Sequence, residues 1–177
     1  MHLFPILDKH QPTVAEWLGA RENYQWLHFG HGIQQVTPVA LRVMLTRNIH
    51  ELRLFGDSED SPAGIVALSD INPNFKSATL WYVLGDKSHG GKGMTTQAAR
   101  LMLAEGFGNL DLTSIYAWAV EDNKPSIKVL TNCGFKFIGR RRRGHCIDDK
   151  FYDVLLFDIL STEMVTKQNP HEHVTDQ

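Results

Sequence analysis

The chain has 177 residues, 42% of them apolar, which suffices for one well-buried core and falls short of two comfortable domains. Its 18 basic and 20 acidic side chains leave a formal charge of -2, so no global field draws in nucleic acid or an anionic membrane surface, and a small soluble partner is expected. Cys133 and Cys146 lack any disulfide or zinc spacing and no 18-residue apolar run occurs, so the reading is a reduced, metal-free, cytoplasmic protein without a signal peptide or membrane span.

Residues 1–7 are short and interrupted by Pro5, and no strand or helix is assigned to them. Helices are expected over 13–18, after Pro12 with Thr13 as cap, and over 37–45, where Thr37 precedes Pro38 at the first helical position. Alternating polarity over 51–55 and an apolar run over 63–68 predict two antiparallel strands joined by a turn at 56–62. A polar link at 72–77 leads into a third strand over 78–84. Then the order changes to a helix over 94–107, a strand over 113–120 and a helix over 124–132 that Cys133-Gly134 stops. Strands over 135–138 and 152–160, separated by a polar basic stretch, complete an α/β (α+β) fold with a mixed, mostly antiparallel sheet and helices on both faces. One domain spans 1–166. The tail 167–177 has too few apolar groups to offset the entropy of ordering it, and reads as a flexible extension.

The third strand runs into Gly85-Asp86-Lys87-Ser88-His89-Gly90-Gly91-Lys92-Gly93-Met94-Thr95-Thr96, and a helix opens there. Glycines permit close backbone approach, and free N–H groups at a helix start, with the helix dipole, favour an anion. A plain strand-to-helix turn stays open as the alternative. Two nucleotide loops do not fit. Lys92 is followed by Gly93 rather than the hydroxyl a P-loop needs, and Thr96 stands where the dinucleotide fingerprint has its third glycine.

The loop resembles the Arg/Gln-x-x-Gly-x-Gly/Ala signature of the GNAT acyltransferase superfamily, with Gly93 as its central glycine and Thr96-Gln97-Ala98-Ala99 similar to its Thr-Glu-Ala helix start. Asn123-Lys124-Pro125-Ser126, seven residues and then Gly134-Phe135 is similar to a second family motif, 30 residues beyond Gly93. The likeness extends to the ribosomal-protein and sugar-amine or small-amine branch. Gly90 and Thr95 depart from the signature. The resemblance implies a cytoplasmic N-acetyltransferase taking acetyl from acetyl-CoA to a primary amine of an amino sugar, a similar small molecule or a protein N-terminus. A non-catalytic acyl-CoA-binding module on the same fold is the alternative. It also implies that Tyr82, Val83, Leu84, His89, Gly90, Gly91, Lys92, Gly93, Met94, Thr95, Thr96, Asn123 and Ser126 hold the coenzyme, with no metal. A homodimer stays open.

An amine must lose a proton to attack a thioester, and the departing thiolate must gain one. The family's helix tyrosine is replaced by Leu130, so the resemblance points to Ser126 as the donor to sulfur, with helix capping as its other reading. Trp118 occupies the position where some relatives place a base. Asp70, expected at a strand end facing the cleft, is the candidate base, beside Glu121, Asp122 and His28. Tyr24, Trp26, His28 and Phe29 are placed by analogy near the acceptor. Arg140 to Arg143 reads as a solvated hairpin or as a contact for an acidic substrate.

Overall fold

The computed structural model describes residues 1–28 and 36–164. Phe29 and the tail at 167–177 lie outside the described residues. Among those described, one seven-stranded sheet runs in the order β1-β2-β3-β4-β5-β7-β6. Its strands are β1 (His2–Pro5), β2 (His50–Ser58), β3 (Ser61–Asn72), β4 (Ser77–Leu84), β5 (Ser114–Val120), β6 (Lys136–Ile147) and β7 (Lys150–Leu160). All neighbours are antiparallel except β4 and β5.

Helices α1 (Gln11–Gly19), α2 (Arg21–Tyr24), α3 (Pro38–Thr46), α4 (Met94–Gly108) and α5 (Lys124–Cys133) supply the layers that cover the sheet. The side-chain period of two along β3 divides the core. Val66 and Leu68 join Met102, Leu103 and Leu130 of α4 and α5, while Ile65 and Ala67 join Val14, Leu18 and Leu41 of α1 and α3. A strand buried on both faces reads as a continuous apolar run, which is why 63–68 stands out in the sequence. Each fully buried Leu or Ile of this kind contributes roughly 1.5–3 kcal/mol by leaving water.

Local chemistry sets the ends of the site-bearing helices. Gly93 precedes α4 with φ 76°, a left-handed conformation that glycine adopts without strain. At α5 the Asn123 side chain accepts a hydrogen bond from the Ser126 N–H at 3.3 Å, and Pro125 sits in the first turn. Gly134, at φ 93°, ends α5 while the Phe135 N–H donates to the Leu130 carbonyl at 3.1 Å.

Three elements differ from the sequence expectation. Strand β1 forms despite Pro5, because β1 is a sheet edge where a missing N–H costs no ladder bond. The four-residue α2 is too short to carry a periodic signal. The basic stretch is no connector: β6 continues through Arg140 to Arg143, with a register shift between Arg141 and His145, to a tight turn at Asp148-Asp149.

Candidate active site

Strands β4 and β5 pair only at Ser77 to Thr79 and Ser114 to Tyr116, and then separate. Beyond that pairing the two strands diverge, and Tyr82 to Leu84 of β4 border the gap between them. A cleft of about 720 Å³ occupies this gap. Alternation along β4 and β5 gives the cleft two sides. Leu80, Tyr82 and Leu84 pack with the α4/α5 core, whereas Trp81 and Val83 pack with the α1/α3 core. Ala117 and Ala119 belong to the α4/α5 core, so Trp118 between them faces the opposite way.

The α4/α5 side presents a glycine-rich loop and a helix start to the cleft. His89, Gly90, Gly91, Gly93, Met94, Thr95 and Thr96 line it. No side chain caps the start of α4, which leaves its first-turn N–H groups and positive dipole end directed at the cleft. Gly91 and Gly93 have positive φ, and a Cβ at either would meet open space, so the loop is shaped for backbone approach rather than for close packing. The His89 imidazole is held by Asp86 at 3.1 Å, and the Asp86 carboxyl lies below its ordinary value chiefly because the Ser88 hydroxyl and N–H donate to it. Lys92 is exposed and does not line the cleft, so of the expected loop residues it alone adds only a nearby charge.

At the cleft centre the Tyr82 hydroxyl lies 3.0 Å from both the carbonyl oxygen and Oγ of Ser126. A phenol has one proton for these two acceptors. When it bonds to the carbonyl, Ser126 Oγ–H can donate to Tyr82. When it bonds to Oγ, the serine proton is free to point into the cleft. Burial raises the Tyr82 phenol above its ordinary range, so it is a donor and not a base. Asn123 is the cap of α5, which frees the Ser126 hydroxyl from that duty.

Trp26, Leu27, Trp81 and Trp118 line the opposite side, with Glu22, Asn23 and Lys87 at its margin. His28 meets Trp118 edge-on at 6.3 Å, and His145 lies 6.1 Å from the same ring while bonding the Gln25 carbonyl at 2.6 Å. Hairpin β6-β7 and the α2 segment thus form one wall, joined further by the Arg21–Asp148 ion pair.

Other candidates fall elsewhere. Asp70 does not face the cleft. It sits at the irregular end of β3 with φ 54°, and because β3 runs antiparallel to β4, it is Gly64 at the other end that pairs with the cleft-lining Leu84. Glu121 accepts the Asp153 N–H at 3.0 Å and faces Arg140, and Asp122 is exposed outside the cleft. Cys133 is no nucleophile in waiting: burial pushes its thiol up to about 11. Sequence reasoning missed the Tyr82 hydroxyl by assigning β4 a backbone role. Strand alternation was the available signal, since it sets Tyr82 opposite to Trp81 and toward α5.

The family model described as an acetyltransferase (GNAT) domain matches residues 2–136. The chain is a member of the GNAT acetyltransferase family. The "uncharacterized N-acetyltransferase p20" of Bacillus licheniformis is 31% identical to this GNAT chain over 104 residues, 59% of the chain and 58% of the relative. The spermidine N(1)-acetyltransferase of Escherichia coli (strain K12) is 26% identical over 120 residues, 66% of the chain and 64% of the relative. The chain therefore spans about three fifths of the length of these curated relatives. The crystal structure of spermidine N-acetyltransferase from Vibrio cholerae in complex with CoA and spermine shares the GNAT fold, with TM-score 0.82 at 20% identity over 92% of this chain and 96% of that one.

Proposed function

We propose that this GNAT domain transfers the acetyl group of acetyl-CoA to a primary amine by direct attack, without an acyl-enzyme. The observation that carries the reading is the Tyr82–Ser126 pair, set where the splayed strands join an anion cradle to an aromatic wall. The cradle fits a pyrophosphate in its free helix-start N–H groups and in the open space at Gly91 and Gly93. His89, Gly90, Gly91, Gly93, Met94, Thr95 and Thr96 would hold it, and the open edge of Tyr82, Val83 and Leu84, with Asn123 and Ser126 across the gap, would hold the arm. The relatives named N-acetyltransferases and the fold shared with a CoA complex support this assignment.

Bound there, the coenzyme supplies an acetyl thioester, an activated acyl donor with a thiolate leaving group. The backbone of Tyr82 to Leu84, beyond the stretch where β4 pairs with β5, would orient and polarise the carbonyl. Ser126 Oγ–H donates to the sulfur position, and the Tyr82 hydroxyl turns from the Ser126 carbonyl to Oγ to support that donation. Among the described lining residues the one carboxylate, Glu22, lies 3.6 Å from Lys87, so the amine proton is released to water rather than to an acidic side chain. Thiol release from acetyl-CoA with a panel of amines, read with CoA affinity by calorimetry, tests the reading. Amine-dependent release is the expected result. Tight CoA binding without release with any amine would instead mark a non-catalytic acyl-CoA-binding module.

A further inference from the structure

Among the described residues the acceptor side of the cleft is aromatic, and its one carboxylate is answered by a lysine. Trp26, Leu27 and Trp118 form its wall, and Glu22 is the one carboxylate among the described lining residues. Lys87 answers Glu22, and Lys87 and Lys128 outnumber it within the lining. Three carboxylates that border this wall are ion-paired: Asp148 with Arg21, and Asp153 and Glu121 with Arg140. Beyond them β6 adds Arg141, Arg142 and Arg143, the last with its guanidinium 4.5 Å from the Phe151 ring centre. The sequence has no Asp or Glu anywhere from residue 23 to residue 50.

We propose that the acceptor is a monoamine carried on an uncharged aromatic or apolar body, an arylalkylamine in chemical class, and not a polycationic amine. The proposal rests on the acetyl-transfer reading above. An acceptor nitrogen must shed its proton to react, so a single amine enters the wall neutral and leaves its body against Trp26 and Trp118. A polyamine brings further ammonium groups that keep their charge. Each would lose hydration beside a wall that is already neutral to basic, and a ring face returns less than that loss. The same wall lets an aromatic body stack without any charged partner.

The test compares kcat/KM for tryptamine and 2-phenylethylamine with that for spermidine and putrescine, using the full chain, saturating acetyl-CoA and thiol release, each corrected for the free-amine fraction. The aromatic amines are expected to exceed the polyamines by roughly tenfold or more. Trp118→Ala is expected to raise the tryptamine KM roughly tenfold and to lower kcat/KM for tryptamine severalfold more than for spermidine, and Trp118→Phe to recover most of the tryptamine loss. Spermidine turnover equal to or above that of tryptamine, or an equal loss for both amines in Trp118→Ala, overturns the substrate class and leaves the transferase reading standing. Absence of turnover with every amine overturns both.

Discussion

Ser126→Ala separates the chemical role of the serine from its structural one. The substitution leaves the Tyr82 hydroxyl its second partner, the Ser126 carbonyl at 3.0 Å, and leaves the Asn123 cap on the Ser126 N–H intact. The folding cost is therefore one neutral hydrogen bond, about 0.5–1.5 kcal/mol. For a domain of this size that lowers the thermal midpoint by roughly 1–6 °C. The kinetic cost is larger. General acid catalysis contributes about 10²–10⁴-fold, and because the cleft is open enough for water to substitute in part, the low end applies: about 100-fold in kcat, or about 2.7 kcal/mol. Tyr82→Phe removes the supporting donor and is expected to lower kcat by about 10–100-fold. If the two hydroxyls act as one relay, the double variant is no slower than the worse single one. Burial keeps the Tyr82 phenol protonated beyond its ordinary value of about 10, so the alkaline limb of the wild-type profile stays in Tyr82→Phe. The assay is steady-state thiol release with calorimetric CoA affinity in parallel, and Ser126→Thr serves as the rescue because it keeps a hydroxyl. A kcat within threefold of wild type in Ser126→Ala, or fully multiplicative losses in the double variant, would refute the relay.

Two further outcomes follow from local geometry. Gly93→Ala places a Cβ on a residue at φ 76° with no atom nearby, so its cost is backbone strain alone, about 1–2 kcal/mol, with a thermal midpoint roughly 2–8 °C lower and a raised acetyl-CoA KM. An unchanged KM would show that this turn does not shape the anion cradle. The Asp153 carboxyl lies below its ordinary value, first because the Arg143 N–H donates to it at 2.8 Å and then through Arg140. A depressed carboxylate contributes stability above its unfolded value and loses it as pH falls through the folded one, so the β6-β7 register shift should loosen below about pH 4. Exchange of the Arg143 amide reads this, with Asp153→Asn expected to flatten its acid dependence. An Arg143 amide that responds to acid equally in both proteins counts against the linkage.

What the sequence made legible followed from how fully each element is buried. Strand β3 is covered on both faces and announces itself as an apolar run, and α4 and α5 carry punctuation at Gly93, Asn123 and Gly134 that does not depend on packing. Strand β6 is the reverse case. Most of its residues are exposed, so neither a two-fold period nor an apolar run marks residues 139–147, and four arginines resemble a loop until the β7 ladder is seen. The turn into α4 was legible because its backbone geometry, with positive φ at Gly91 and Gly93, is written in glycines. Asp70 was misplaced because a strand read alone does not say which of its ends its neighbour brings to the cleft. That requires the antiparallel register of β3 on β4.

The same distinction explains why Trp118 changes meaning between sequence and structure. As a letter it marks only the absence of a carboxylate at a strand position. In the fold its alternation with Ala117 and Ala119 turns it away from the α4/α5 core, and His28 and His145 meet its ring from two separate segments. Those contacts tie α2 and the β6-β7 hairpin to the cleft, so the tryptophan occupies space that a base would leave for water. On the proposed acetyl transfer, with Glu22 facing Lys87, the acceptor delivers its proton to water. The proposed monoamine with an apolar body fits that route, since an aromatic wall disfavours the protonated form of the amine it binds.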